Sequence, residues 1–391
     1  MPRILVAVLN WGLGHATRCI PVIRALQQNG AEVIIASDGL SLKLLQTEFP
    51  SLPAEPLPPY NIRYTGKHIW LDALTQAPHV LKQIKAEQLA TQNLLQKHGN
   101  ITAIISDNRY GCYHSQIPSV IITHQVFLHL PHPIKWLQPL VQRFNRQLIN
   151  KFNYCWIPDW PHPQANLSGE LAHKHLLPTE QFVFVGPLSR FNYPDDNNIN
   201  HDNASKPYFS SEKNTNTAAA WSIVALVSGP EPLRTQFEAI MQNQLLAFCA
   251  TTNQTALLLQ GQPQNNSTIK PHPKTPLLQI APHLPTQQLQ HHLKNAQIII
   301  ARSGYSTVMD LAVLQKKAIF CPTPGQTEQL YLAKQFMKKQ FFYTQPQHRL
   351  NIAKALEEAV KYQGLPAQLN PNLADNQTLL NKAINNLLSK H

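Results

Sequence analysis

The feature that most constrains the fold of this chain is a series of short apolar runs, each followed by a polar loop and a helical pattern. The first run, Ile4 to Leu9, is rich in β-branched residues, and apolar residues then recur with helical spacing from Cys19 to Leu26. Glu32 to Ala36 forms the next apolar run. Unbroken apolar strands separated by helices are typical of a parallel sheet that is buried on both faces. The opening therefore predicts a βαβ unit.

The same alternation continues through both halves of the chain. Further strands are predicted at 103–105, 120–122, 154–157, 182–185, 222–227, 257–259, 298–301 and 318–321, and a last helix at about 373–388. Residues 192–217 are dominated by Asn, Asp, Ser, Lys and Thr, which predicts a polar linker or loop insertion. We therefore expect an α/β protein with two doubly wound Rossmann-like domains, residues 1–187 and 188–391, that face each other across a cleft.

Composition and charge limit the kind of protein and of partner that the chain can have. With 43% hydrophobic residues, the 391-residue chain can form ordinary cores, and a net charge of +12 favours anionic partners without choosing among them. The five cysteines include no CxxC pair, which indicates reduced thiols in a cytoplasmic protein. No apolar run reaches the roughly 18–20 residues of a membrane-spanning helix, and no secretion signal is evident.

The first polar loop is a candidate ligand site, because ligands bind at the carboxyl ends of strands in parallel sheets. Gly12 and Gly14 permit a tight turn and a close backbone approach, and with Arg18 they are expected to line a phosphate or acceptor site. His15 is suited to act as a base near neutral pH. The alternative is an ordinary strand-to-helix turn with a surface histidine. Thr17 stands where a dinucleotide fingerprint has its third glycine, which disfavours an NAD site.

A second candidate site opens the helix that follows the predicted strand at 298–301. Ser303, Ser306 and Thr307 supply hydroxyl groups and potential helix caps, and the helix N-terminus is suited to phosphate. Asp310, one turn into the helix, is suited to accept hydrogen bonds from ribose hydroxyls. The alternative is an ordinary capped helix.

Amide and carboxylate side chains form a third candidate site after the strand at 318–321. Gln326, Glu328 and Gln329 open the next helix, and sugar hydroxyls require such mixed donors and acceptors. A solvated Pro/Gly turn is the alternative, and in isolation it is the commoner one.

Two polar segments follow strands of the first half. In the first, Asp107 is expected either to orient His15 or to bind acceptor hydroxyls, with Asn108 and Arg109 beside it; a strand-end turn is an equal alternative. The second contains His124, for which a structural role is slightly favoured.

The three loops, in this order, resemble those of GT-B glycosyltransferases of family 28, the family that contains the lipid-linked peptidoglycan GlcNAc transferase. Gly14-His15 fits that family's N-terminal glycine loop. Arg302-Ser303-Gly304 with Thr307-Val308 matches its nucleotide-sugar signature, and Glu328-Gln329 occupies its Gln-Gln sugar-contacting position. Strong matches span about residues 16–40 and 298–335.

The resemblance implies that the C-terminal domain binds a UDP-sugar and that the N-terminal domain binds the acceptor, with a lipid-linked acceptor as one option. It places Arg302, Gly304 and Asp310 at the donor, with Asp310 where the family has a longer Glu. Glu328 replaces a Gln, which bears on the choice of sugar. Gly229 lies where the family has a glycine-rich phosphate loop, here with two prolines.

Two other functions remain open from the sequence. UDP-sugar hydrolases have a similar Gly-His loop and layout, and His15 suits transfer and hydrolysis equally. A non-catalytic binder of sugar nucleotide or of a membrane surface is the second, whereas nucleic acid is disfavoured because no basic run is interleaved with aromatics. No HExxH-like spacing occurs, and Asp195-Asp196 lies in the polar linker without the strand context of a DxD motif. We therefore expect neither a metal nor a cofactor.

An apolar stripe at helical spacing occurs between Pro133 and Lys151. Its members are Leu137, Leu140, Val141, Phe144 and Leu148, with Lys135, Arg143, Arg146 and Lys151 around them. Such a stripe more often faces a core, but it also fits a helix that rests on an anionic membrane.

Taken together, these features predict an inverting, metal-independent glycosyltransferase. His15 or Asp107 would deprotonate an acceptor hydroxyl, which attacks the anomeric carbon while UDP leaves. Backbone donors at the helix opening around Ser303 would stabilise the diphosphate. The expected location is the cytoplasm, with peripheral attachment to the inner face of the membrane as a further option.

Overall fold

The computed structural model describes residues 1–62, 69–162, 166–175, 177–178, 180–191, 221–263, 265, 267–369 and 373–389. The predicted linker at 192–217 and the Asp195-Asp196 pair lie outside these residues. The division of the chain into domains at residue 187 therefore stays a prediction.

The first sheet has seven parallel strands in the order β3-β2-β1-β4-β5-β6-β7. The strands are β1 Arg3–Val8, β2 Glu32–Ser37, β3 Ala54–Pro56, β4 Ile101–Asp107, β5 Ser119–Ile122, β6 Tyr154–Ile157 and β7 Phe182–Phe184. The helices between them are α1 Leu13–Gln28, α2 Gly39–Glu48, α3 Ile69–His98, α4 Gln138–Ile149 and α5 Glu170–His173, with a 3₁₀ helix at His132–Leu137.

The second sheet also has seven strands, in the order β10-β11-β9-β8-β12-β13-β14, and every pair is parallel except β10 with β11. The strands are β8 Trp221–Leu226, β9 Ala256–Leu259, β10 Lys270–His272, β11 Thr275–Ala281, β12 Ala296–Ala301, β13 Ala318–Phe320 and β14 Tyr343–Thr344. The helices are α6 Leu233–Thr252, α7 Thr286–Lys294, α8 Tyr305–Leu314, α9 Thr327–Lys338, α10 Ile352–Ala359 and α11 Leu373–Leu388, with 3₁₀ helices at Gln347–Arg349 and Ala367–Leu369.

The central strands are buried on both faces, as their unbroken apolar composition requires. Every residue from Ile4 to Val8 in β1 is fully buried, and alternate residues pack into separate hydrophobic clusters on the two sides of the sheet. Both faces are covered by helices. The predicted α/β fold with two parallel sheets is thus confirmed, and the predicted strands differ from the observed ones by at most two residues at their ends.

Helices from the second half of the chain pack against α1 of the first half. Apolar residues of α1, α8 and α11 share one hydrophobic cluster. At the far end of α1, Asn29 Nδ2 donates to Asn381 Oδ1 of α11 at 3.1 Å. The two sheets are therefore joined along α1, the helix that carries His15. Among the described residues, no helix is long and apolar enough to cross a membrane.

Candidate functional site

The glycine loop brings His15 to the carboxyl edge of the first sheet. β1 ends at Val8, and α1 begins at Leu13 after the N-cap residue Gly12, whose φ of 77° lies in the left-handed region that favours glycine. His15 therefore stands in the first turn of α1, with its side chain 17% exposed.

Asp107 lies beside His15 because β4, which ends at Asp107, is the neighbour of β1, the strand that precedes the His15 loop and helix. Val8 of β1 is the register partner of Asp107, the last residue of β4. His15 Nδ1 lies 2.8 Å from Asp107 Oδ1, and Asp107 is fully buried. Arg18, one turn along α1 from His15, donates from Nε to Asp107 Oδ2 at 2.5 Å and from Nη2 to Oδ1. The three predicted residues thus form one buried network.

The electrostatics keep Asp107 ionised and His15 neutral. Burial favours the neutral carboxyl, but the charge of Arg18 and the hydrogen bonds from Arg18 and His15 outweigh it and hold the pKa of Asp107 well below its usual range. Burial, aided by the charge of Arg18, lowers the pKa of His15 despite the opposing effect of Asp107. His15 Nδ1 also lies 2.9 Å from Arg18 Nη2. In the neutral tautomer that donates Nδ1–H to Asp107, Nε2 is an acceptor, which is the state a general base requires.

Arg302 and Ser303 hold the second candidate loop together from within. The Arg302 guanidinium lies 3.7 Å from the Phe237 ring centroid and donates to the carbonyl oxygens of Cys321 and Pro322, and burial lowers its pKa to about 10. Ser303 Oγ donates to the Gln329 carbonyl at 2.8 Å. These two side chains fix the loops after β12 and β13 and do not cap α8.

The opening of α8 contacts the glycine loop across the domain interface. Gly304 is the N-cap residue, and Ser306 Oγ donates to the Gly14 carbonyl at 2.8 Å. A Cβ atom on Gly14 would lie 2.9 Å from Ser306 Oγ, so any larger residue would displace the Ser306 side chain. Tyr305 adds a second interdomain bond, from its hydroxyl to the Pro158 carbonyl at 2.8 Å. Thr307, in the same turn, is partly buried.

Asp310 is held by the segment that follows β7. Ser189 Oγ donates to Asp310 Oδ1 at 2.6 Å, and Arg190 Nε lies 3.8 Å from Oδ2. Burial raises the pKa of Asp310, with Arg190 opposing. Sequence reasoning missed Ser189 and Arg190, because they lie outside any periodic pattern.

The third loop also reaches the first half of the chain. Glu328, at the start of α9, accepts hydrogen bonds from His124 Nε2 at 3.1 Å and from Gln125 Nε2. Burial opposes the ionised form, but His124, Arg18 and His15 lower the pKa of Glu328. Gln329 is buried and accepts at Oε1 from the Thr323 amide at 2.8 Å, while Gln326, the N-cap residue of α9, is partly buried.

Arg109 does not join this cleft, although its position in the sequence indicated an acceptor contact. It is fully buried beneath the first sheet, where it donates to Asp38, to Glu87 Oε1 at 2.8 Å and to the Val8 carbonyl at 2.8 Å. Asn108, with a φ of 53°, turns the chain back so that Arg109 points inward.

Gly229 lies in the loop between β8 and α6, which follows the parallel neighbour of β12, with a φ of 120° and no atom within 4 Å of an added Cβ. Within the described part of the chain, no three His, Cys, Asp or Glu side chains are grouped so as to hold a metal ion.

Comparison with known proteins agrees with this geometry. Residues 235–386 match the family model of the glycosyltransferase family 28 C-terminal domain. The matched range includes the loop after β12 and the loop after β13. A relative from Methanosarcina acetivorans, described as an uncharacterized glycosyltransferase, is 24% identical over 341 residues, or 84% of this chain and 81% of the relative. A second relative, from Methanosarcina mazei and described in the same words, is 23% identical over 84% of this chain and 81% of the relative.

Solved structures share the arrangement of both sheets. The spinosyn rhamnosyltransferase SpnG aligns over the whole of both chains with a TM-score of 0.61 at 13% identity. MurG of Acinetobacter baumannii also aligns over both whole chains, with a TM-score of 0.51 at 13% identity. The chain is a glycosyltransferase with the GT-B fold, and its residues 235–386 are similar to the C-terminal domain of glycosyltransferase family 28. In this glycosyltransferase, the dyad of His15 and Asp107 lies in the first half, and the family 28 match begins only at residue 235.

Proposed function

We propose that this glycosyltransferase transfers a sugar from a nucleotide sugar, a UDP-sugar, to a hydroxyl acceptor in one inverting displacement without a metal ion or other cofactor. Its relatives and its C-terminal domain support sugar transfer, while donor, acceptor and stereochemistry are the proposal. A structure of SpnG, whose fold is similar, contains thymidine diphosphate, which supports nucleotide recognition by such folds.

One observation carries the proposal: a neutral histidine, oriented by a buried carboxylate, lies beside the loop that opens α8. His15 Nδ1 is 2.8 Å from Asp107, and the adjacent Gly14 carbonyl accepts from Ser306 of α8. His15 Nε2 would take the proton of the acceptor hydroxyl as its oxygen bonds to the anomeric carbon and the bond to the diphosphate breaks. Because a positioned base must lie within hydrogen-bond reach of its proton, closure of the two domains is part of the mechanism.

The leaving diphosphate would be stabilised by backbone N–H groups at the first turn of α8. A helix N-terminus presents unpaired N–H groups and a partial positive charge, which suits an anion that gains charge as the bond breaks. Ser306 and Thr307 add hydroxyl groups in the same turn. Asp310 would accept from the ribose, and Gln326, Glu328 and Gln329 would contact the sugar.

A panel of nucleotide sugars, each incubated with the purified protein and with hydroxyl acceptors, tests the proposal. We expect one UDP-sugar to bind, to release little UDP alone and to release UDP rapidly with an acceptor. Absence of binding by every nucleotide sugar would overturn the proposal.

Hydrolysis of the sugar nucleotide is a second candidate, because the same dyad can deprotonate water. It predicts rapid release of UDP without an acceptor, at a rate that acceptors do not raise. Binding without turnover under any condition would indicate the third option, a non-catalytic binder.

We also propose that the acceptor is lipid-linked and that the first domain rests on an anionic membrane. Trp136 of the 3₁₀ helix is 76% exposed, and Leu140 and Phe144 of α4 are 66% and 44% exposed, whereas Leu148 of α4 is buried. The expected apolar stripe is thus divided, and its exposed part is the part that could enter a lipid surface.

Exposed cations beside this apolar group supply the test. Replacing Lys135 and Arg143, both exposed, with Gln should weaken binding to vesicles with anionic lipid roughly 30-fold, at about 1 kcal/mol per cation. The matched control replaces the exposed Lys43 and Lys354, which removes the same charge elsewhere. Equal weakening by both pairs would refute the membrane surface.

A further inference from the structure

We infer that His124 is a positioning residue that crosses the domain interface and holds Glu328 in place for the donor sugar. This inference rests on the proposed function and deepens it. The sequence slightly favoured a structural role for His124, whereas this inference gives it a role in catalysis that acts through Glu328.

The position of His124 follows from the register of the first sheet. Val8, Asp107 and Ile122 are successive register partners across β1, β4 and β5, so the residues that follow these strands meet at one edge. His124, two residues beyond β5, is only 3% exposed. Its ring stacks on Tyr305 of α8 with a centroid distance of 4.0 Å and an interplanar angle of 11°.

Hydrogen-bond chemistry fixes which ring nitrogen carries the proton. Arg18 Nη1 lies 3.3 Å from His124 Nδ1, and a guanidinium can only donate, so Nδ1 accepts. Nε2 therefore carries the proton and donates to Glu328 Oε1 at 3.1 Å. The result is a directed chain from Asp107 through Arg18 and His124 to Glu328, which joins the base on one domain to the sugar loop on the other.

The remaining bonds of Glu328 define what it can bind. Gln125 Nε2 donates to the second oxygen, Oε2. A carboxylate has about four acceptor positions, so two donors from the first domain leave the others for ligand groups that donate. The sugar carbon that faces Glu328 therefore carries a group that can donate, a hydroxyl or an N–H, and not a group that only accepts. Since both protein donors come from the first domain, this subsite is complete only when the domains are closed.

Three variants of His124 separate its hydrogen bonds from its packing. His124→Phe keeps a ring on Tyr305 and removes both bonds. His124→Asn places an amide near the Nδ1 position and can still accept from Arg18, but it does not reach Glu328. His124→Gln places an amide near the Nε2 position and can donate to Glu328. His129→Phe is the matched control, because His129 makes a similar interdomain stack, on Tyr331 at 4.6 Å, away from this chain of bonds.

The measurement is the donor dissociation constant and the kcat of transfer for each variant. We expect His124→Phe and His124→Asn to lower kcat about 10²-fold, the typical cost of about 1 Å of misplacement, with the donor dissociation constant changed by less than about threefold. His124→Gln should recover most of that loss, and His129→Phe should match the wild type.

Three outcomes would overturn the inference: an unchanged kcat for His124→Phe, equal losses in all three His124 variants, or an equal loss in His129→Phe. The last two would assign His124 to packing alone. Failure of the proposed function is distinct, because it shows in the wild type as absence of nucleotide-sugar binding or of transfer.

Discussion

Removing the carboxylate of Asp107 should destabilise the first domain far more than removing an exposed carboxylate of the same sheet. Asp107 is fully buried and binds Arg18 through both oxygens, His15 through Oδ1 and Cys19 Sγ at 3.3 Å. In Asp107→Ala, the Arg18 side chain, which is 2% exposed, would keep its charge without its main partner.

The magnitude follows from that stranded charge. Loss of one partner of a buried ion pair typically costs about 3–5 kcal/mol. For a domain of about 150–250 residues, at roughly 2–4 °C per kcal/mol, this lowers the Tm by roughly 6–20 °C. Glu32→Ala is the control, because Glu32 pairs with Arg3 at the other end of the sheet with side chains 48% and 35% exposed. An exposed pair contributes about 0–1 kcal/mol, which corresponds to at most about 4 °C.

Differential scanning calorimetry of Asp107→Ala, Arg18→Met and the double variant would measure these effects. Because the double variant removes both charges, its loss should fall short of the sum of the single losses by about 1–3 kcal/mol. A Tm for Asp107→Ala within 4 °C of the wild type, or strictly additive losses, would refute the account of a stranded Arg18.

Three further predictions follow from the same site. His15→Ala should lower kcat of transfer about 10²–10⁴-fold while donor binding persists. The acid limb of the wild-type kcat/KM profile should lie below pH 6.5, because burial and Arg18 lower the pKa of His15. An acid limb above pH 6.5 would contradict this. Gly14→Ala should weaken donor binding, since its Cβ would lie 2.9 Å from Ser306 Oγ, and an unchanged donor dissociation constant would contradict this. The depressed pKa of Asp107 adds stability that is fully present above its unfolded pKa of about 3.9 and is lost as the pH falls toward the folded value, so the Tm should fall between pH 4 and 2, and less steeply in Asp107→Asn.

Apolar runs predicted the sheets well because burial on both faces leaves a signal within each strand. β1, β4 and β12 are recognisable without their neighbours. β10 is different, since Lys270–His272 has no apolar alternation and becomes a strand only by pairing with β11. The two residues of β14 are likewise extended because they pair with β13. Such elements depend on tertiary pairing, which local sequence does not encode.

The site could be predicted as a set of loops but not as a set of contacts. The order of motifs predicted that His15, Asp107 and the loop at 303–310 belong to one cleft. Which side chains meet depends on strand order and on local backbone turns. The left-handed Asn108 directs Arg109 under the sheet, and the adjacency of β4 and β5 brings His124 to Arg18. The spacing of residues along the chain predicts neither the backbone turn at Asn108 nor the adjacency of β4 and β5.

The contacts of the two cleft carboxylates explain how closure and donor binding can be coupled in the proposed mechanism. Asp310 is bonded by Ser189 and lies near Arg190, both on the C-terminal side of the predicted division at residue 187. Glu328 is bonded by His124 and Gln125, so its protein donors belong to the first domain. Both carboxylates keep acceptor positions free, because Asp310 receives one hydrogen bond and Glu328 receives two. A ribose hydroxyl that donates to Asp310 would add a bond of about 0.5–1.5 kcal/mol net without involving the first domain. A sugar group that donates to Glu328 would bind a carboxylate that His124 and Gln125 hold from the first domain, so the sugar favours the closed arrangement in which His15 lies beside it.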